Sequence, residues 1–152
     1  MTYLSMTDKA ALIRKSYKAA GIKASVRCSA CSINVRVISG DFAEAERIAV
    51  QHKEVSYDEA TGEILSGGNT FVFVDWHEKA VDAKLAEIGD RVAEAANNVG
   101  VGRARVLEGL GLMVLKFGEH DYCVRTKDDE RRCWDVPNLT RAAARLLLES
   151  AA

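Results

Sequence analysis

Two stretches, "IKASVRC" (22–28) and "SINVRVIS" (32–39), alternate apolar and polar residues, with only "SAC" between them. A period of two marks a strand with one buried face. So short a connection makes the pair an antiparallel hairpin. The rest of the chain must cover the apolar side of that hairpin.

Helical signals stand on both sides of it. Thr7-Asp8 is expected to cap a first helix over about 8–20. In it Ala11, Leu12, Tyr17 and Ala20 recur at helical spacing, while Lys9, Arg14, Lys15 and Lys18 supply a basic face. Gly21 is a natural stop. "Ser39-Gly-Asp" breaks the second strand and caps the helix "FAEAERIAVQH".

"EVSYDEATGEILSGGN" then reads as loop with a short ribbon between its ends, its Gly-Gly-Asn turn setting strand register. "TFVFVDW" is almost continuously apolar, which predicts a central strand covered on both faces. An acidic, alanine-rich helix over about 77–96 runs into the breaker "NNVGVG". "GLMVLKF" reads as a strand, and "DYCVRTKDDERRCWDV" as a hairpin turning at "KDDE". Pro137 suits the first turn of a last helix with Leu139, Ala143, Leu146 and Leu147 inward.

The expected fold class is therefore α+β, a mainly antiparallel sheet with helices packed on one face, in the order αββαβ-α-βββα. Its 152 residues suit one compact domain. A front unit would cover about 1–76 and a back unit about 77–152. The glycine-rich "GVGRARVLEGLG" reads as the joint, and as no dinucleotide fingerprint, since it follows a helix and lacks the G-x-G-x-x-G spacing.

Net charge is −1, but it is unevenly spread. Residues 1–40 carry seven basic side chains and one acid, whereas residues 41–100 carry thirteen acids and five bases. Segregation of this kind bears on partners, not on fold. No apolar run reaches the ~20 residues of a membrane span, so no membrane partner is expected. The N-terminus reads as a helix start without the apolar core of a signal peptide, which suggests the cytoplasm and reduced cysteines.

Those cysteines raise two chemical possibilities. A zinc site would require Cys28 and Cys31 to converge with Cys123 and Cys133 at about 2.3 Å from one ion. Redox chemistry would want a C-x-x-C opening a helix, where the dipole lowers the thiol pKa. Here the pair sits in a hairpin turn without the glycine and proline that usually shape a metal knuckle. A turn plus buried cysteines is the simpler reading, and no cofactor is expected. An enzyme would need His120, Cys123 and Asp75 or His77 to meet in space. The histidines show no metal-binding spacing, so surface or capping roles are favoured and no catalytic residue is assigned.

The basic front is more informative. Lys9, Arg14, Lys15 and Lys18 on the helix, with Lys23, Arg27 and Arg36 on the strands, make a phosphate-binding patch if helix and hairpin edge share a surface. The nearby aromatics are Tyr3 and Tyr17 only, which argues against base stacking.

The segments "DKAALIRKSYKAAGIKASVR", "SINVRV" and "YDEATGEILSGGNTFVFV" resemble large polyvalent protein-associated domain family 29, a small domain family of bacterial plasmids and phages. The resemblance covers about residues 8–76, and "CSAC" departs from the serine- and glycine-rich turn of that family. It implies a mobile-element protein in the bacterial host cytoplasm, with no reaction and no catalytic residues to transfer. The expected function is a non-enzymatic accessory protein, an anti-defence (for example anti-CRISPR-like) or establishment factor binding a bacterial host protein complex. The alternative is a DNA-binding accessory protein using the basic helix-hairpin surface.

Overall fold

A computed structural model describes residues 4–54, 60–61 and 69–151. The chain divides into two compact units, Met1–Glu78 and Lys79–Ala152, each with its own hydrophobic core. Gly62, Gly67, Gly68 and most of the expected ribbon lie outside the described residues, as does Tyr3.

In the first unit, α1 (Met6–Ala20) leads into β1 (Lys23–Cys28), β2 (Ser32–Ser39), α2 (Phe42–Val50) and β3 (Phe71–Trp76). Ser5, not Thr7-Asp8, caps α1. Its hydroxyl accepts from Asp8 N at 3.1 Å, and the Asp8 carboxylate accepts from Ser5 N at 3.2 Å, a reciprocal capping box. Gly21 ends the helix at φ +71°, a left-handed conformation that side-chain-bearing residues rarely adopt. Asp41 caps α2 by accepting from Glu44 N.

β1 and β2 pair antiparallel, and β2 pairs parallel with β3, so the order is β1-β2-β3. This corrects the central placement of "TFVFVDW": β3 is at an edge of the described sheet, and Phe73 is 58% exposed. One face of the sheet, with Val26, Ile33, Val35, Val37, Val72 and Val74, packs under Ile13 and Tyr17 of α1 and Ile48 of α2. The other face is open among the described residues, with Arg27, Asn34, Arg36, Phe73 and Asp75 exposed.

The second unit holds α3 (Glu78–Asn98) from its second residue onward, β4 (Arg103–Leu107), β5 (Leu112–Gly118), β6 (Asp121–Arg125), β7 (Glu130–Cys133) and α4 (Val136–Ala151). Its four strands form an antiparallel meander. The expected joint "GVGRARVLEGLG" is instead part of this sheet: Arg103–Leu107 is a strand paired with β5. Val81, Ile88 and Val92 of α3 and Leu139, Ala143 and Leu146 of α4 cover Leu112, Val114, Tyr122 and Val124. Asp135 accepts from Asn138 N at 2.8 Å to start α4, with Pro137 in its first turn.

The fold is thus α+β with helices on one face of each of two mostly antiparallel sheets. Among the described residues no helix is long and apolar enough to cross a membrane.

Candidate functional site

The seven cations of the front segment part company in three dimensions. Lys9 is 3% exposed. Its ammonium donates to Thr70 Oγ1 at 2.8 Å and lies 3.2 Å from Glu54 Oε1. Glu54 and Thr70 themselves form an antiparallel bridge, so Lys9 fastens the base of the connection between α2 and β3. This corrects its place on an exposed basic face. Lys9, Ile13 and Tyr17 follow at intervals of four, which puts the lysine on the buried stripe. Of the apolar residues expected inward on α1, Tyr17 is buried, while Ala11, Leu12 and Ala20 face solvent.

The other six are exposed. Arg14, Lys18 and Lys23 line a groove of about 400 Å³ between α1 and the β1 edge, floored by Tyr17, Ile22, Ala24 and Val26. Arg14 Nη2 donates to Val26 O at 2.6 Å, which fixes one guanidinium at the strand edge. Helix and hairpin edge therefore do share a surface, on which Arg14, Lys18 and Lys23 meet. Lys15 stands on the exposed part of α1, apart from the residues lining that groove.

Arg27 and Arg36 lie around the edge strand, on the open face. Together with Ser25, Asn34 and His77 they line a hollow of about 310 Å³. Strand register makes the face a grid. Arg27 is opposite Asn34, which is opposite Phe73; Ser25 is opposite Arg36, which is opposite Asp75; Ser32 is opposite Phe71. Rows are about 4.8 Å apart across strands and about 6.7 Å apart along them. Neither Arg27 nor Arg36 forms an ion pair with a described residue. The Asp75 carboxylate beside Arg36 accepts instead from Trp76 N at 2.7 Å. Phe71 and Phe73 escaped sequence reasoning because the run "FVFV" is apolar on both faces. The signal was its position: a strand placed at an edge and covered on one side must show every second residue.

"CSAC" is the turn closing β1 onto β2. Ser29 N donates to Ser32 O at 2.8 Å, and the two hydroxyls share a 2.7 Å hydrogen bond. Cys31 O accepts from Phe71 N at 2.8 Å, so the turn also anchors the start of β3. Cys28 and Cys31 are exposed. Cys133 is opposite Tyr122 and packs against the core, whereas Cys123 is opposite Arg132 and belongs to the other sheet face. Adjacent strands that send their cysteines to opposite faces cannot supply the second half of a Cys₄ site. Among the described residues no cluster of three or more His, Cys, Asp or Glu is placed to hold a metal. Burial, with Glu130 beside it, pushes the Cys123 thiol up, away from the nucleophilic thiolate. Asp75 and His77 belong to the first unit, and His120 and Cys123 to the second.

Comparison with protein-family models, with curated proteins and with solved structures returns no match to this chain.

Proposed function

We propose that this protein is a non-enzymatic nucleic-acid-binding accessory factor that works through its first unit. The observation that carries this reading is the band of five cations around edge strand β1. Arg14, Lys18 and Lys23 line the groove on one side, and Arg27 and Arg36 the hollow on the other. None of the five forms an ion pair with a described residue. Cations that have no ionic partner among the described residues, on two adjoining concavities, suit a polyanion whose charges repeat along its length. The role in a mobile element within a bacterial host is part of the proposal and rests on the resemblance read from the sequence of residues 8–76, to which no family-model match is added. The test is a mobility-shift or anisotropy titration with DNA at rising salt. Binding weakens steeply with salt and is lost in Lys18→Glu/Arg27→Glu. Undetectable binding at low salt removes this reading.

A second reading, an anti-defence or establishment factor docking on a host protein complex, draws on the second unit. Val106, Phe117 and Trp134 are 60%, 48% and 67% exposed there, an apolar exposure of the kind found at protein interfaces. It predicts a nuclease-resistant partner in a host-lysate pull-down that is lost in Phe117→Asp/Trp134→Asp. A partner retained by that variant contradicts it.

A further inference from the structure

The open face of the first sheet differs from a merely charged surface in one respect: it displays aromatic rings among its cations. Phe73 is 58% exposed in the middle of a regular strand, and Phe71 is half-buried two residues before it on the same face. Both stand on β3, opposite Asn34 and Ser32 of β2, with Arg27 and Arg36 on the same surface.

We infer that this face binds single-stranded nucleic acid, with bases stacked on Phe71 and Phe73 and phosphates held by Arg27 and Arg36. The inference rests on the nucleic-acid reading above and narrows it to a strand type and a set of contacts. Three features carry it. The first is chemical: one exposed and one half-buried ring beside guanidinium groups that have no ionic partner among the described residues match a ligand that alternates flat apolar faces with negative charge.

The second is spacing. Residues two apart on a strand are about 6.7 Å apart, roughly twice the 3.4 Å rise per base of a stacked strand. Neighbouring bases reach both rings only after unstacking from each other, which a single strand does readily and a duplex does not. The third is layout. Arg27 is two strands from Phe73, about 10 Å away, and Arg36 is one strand and one row away. A backbone crossing β2 toward β1 therefore passes over both cations. Asn34 lies between ring and cation, where its amide can donate to and accept from a base edge. Asp75 is the one carboxylate that the described strands put on this face, and its hydrogen bond from Trp76 N draws it to the backbone.

The test uses the full chain and fluorescein-labelled 15-mers of deoxythymidine and of uridine, with a 15-base-pair duplex as control, read by anisotropy at low salt. One or both single strands bind at least about tenfold more tightly than the duplex. Phe73→Ala weakens single-strand binding at least about fivefold and leaves duplex binding unchanged, while Phe73→Tyr, which keeps the ring, stays within about twofold of the parent. Phe73 is exposed, so neither change disturbs the core. The relative affinity of the two 15-mers tells whether DNA or RNA is the ligand. Equal affinity for strand and duplex, or a Phe73→Ala protein that binds single strands like the parent, overturns the inference. If binding then still falls in Arg27→Glu/Arg36→Glu, the broader nucleic-acid reading survives without stacking. If no probe binds at all, both fall together.

Discussion

The two units solve the same packing problem and finish with different open faces. Each lays two helices on one side of its sheet; on the other side Phe73 of the first unit and Phe117 of the second are 58% and 48% exposed, while Cys123 of the second is 1% exposed. In the second unit two arginines on that other side are paired within the unit. Arg125 pairs with Glu130 at 2.7 Å and Arg132 with Asp121 at 2.5 Å, while Arg132 also lies 5.0 Å from the Phe117 ring centroid. In the first unit Arg27 and Arg36 have no ionic partner among the described residues, and the aromatic beside them, Phe73, is uncovered. The same residue types thus have two fates. A guanidinium already bonded to a carboxylate is a structural group, whereas one held on a rigid strand without an anion is available to a ligand.

The contrast can be broken most severely at Lys9. Lys9→Glu sets a carboxylate in a 3% exposed position against Glu54, and it costs about 3–5 kcal/mol, enough to unfold the first unit. Lys15→Glu, on the exposed part of the same helix, changes stability by no more than about 0.5 kcal/mol. Urea denaturation of the two variants checks the difference, and equal effects would return Lys9 to the surface.

Next in size is a pair of tyrosine effects. Tyr17 is 2% exposed, its hydroxyl donates to Ala45 O at 2.7 Å, and burial pushes its pKa up to about 12. The folded state thus favours the neutral phenol. The first unit keeps this stabilisation below the ordinary tyrosine pKa near 10 and loses it as pH rises from there toward 12. Tyr17→Phe costs about 1 kcal/mol at neutral pH and flattens the alkaline loss. Thermal melts of parent and variant at pH 8 and pH 11 read both effects.

On the acid side, burial and the nearby Lys9 ammonium lower the pKa of His52. The unfolded chain takes up that proton more readily, so the first unit weakens as pH falls below the ordinary histidine range near 6.5. A melt that instead rises on acidification to pH 5.5 in the parent, relative to His52→Gln, contradicts the placement of His52.

The smallest effect sharpens the comparison from the other side. Arg125→Gln breaks a half-exposed pair, costs at most about 1 kcal/mol and leaves nucleic-acid affinity unchanged. A loss of affinity comparable to that of Arg27→Gln would erase the distinction between the two faces.

Local signals were legible where one residue has one strong preference. Gly21, Asp41 and Pro137 marked helix ends, and the alternation of 22–28 and 32–39 marked the hairpin. Three misreadings share a cause, because each depended on what lies on the far side of an element. Lys9 was counted with the basic face although its spacing to Ile13 and Tyr17 places it inward, where Thr70 and Glu54, distant in sequence, satisfy it. "FVFV" suggested a strand covered twice, yet Val72 and Val74 alone pack on the core. "RARVL" was hidden between glycines, because four of its five side chains are exposed and only Leu107 is buried. In the candidate site, the individual cations were visible in the sequence. Their division between groove and open face, and the presence of Phe71 and Phe73 beside them, required the register of β1, β2 and β3.

The most direct test of the account is the salt dependence of binding to a deoxythymidine 15-mer. For single strands the slope of log K against log salt is about −0.7 per phosphate neutralised, so the five cations around β1 give about −3.5 when all are engaged. The double variant Arg27→Gln/Arg36→Gln should reduce the magnitude of that slope by about 1.4, while Arg125→Gln should not move it. A parent slope near zero, or a slope that responds to Arg125 and not to Arg27 and Arg36, would contradict the claim that the five cations around β1 form the binding surface.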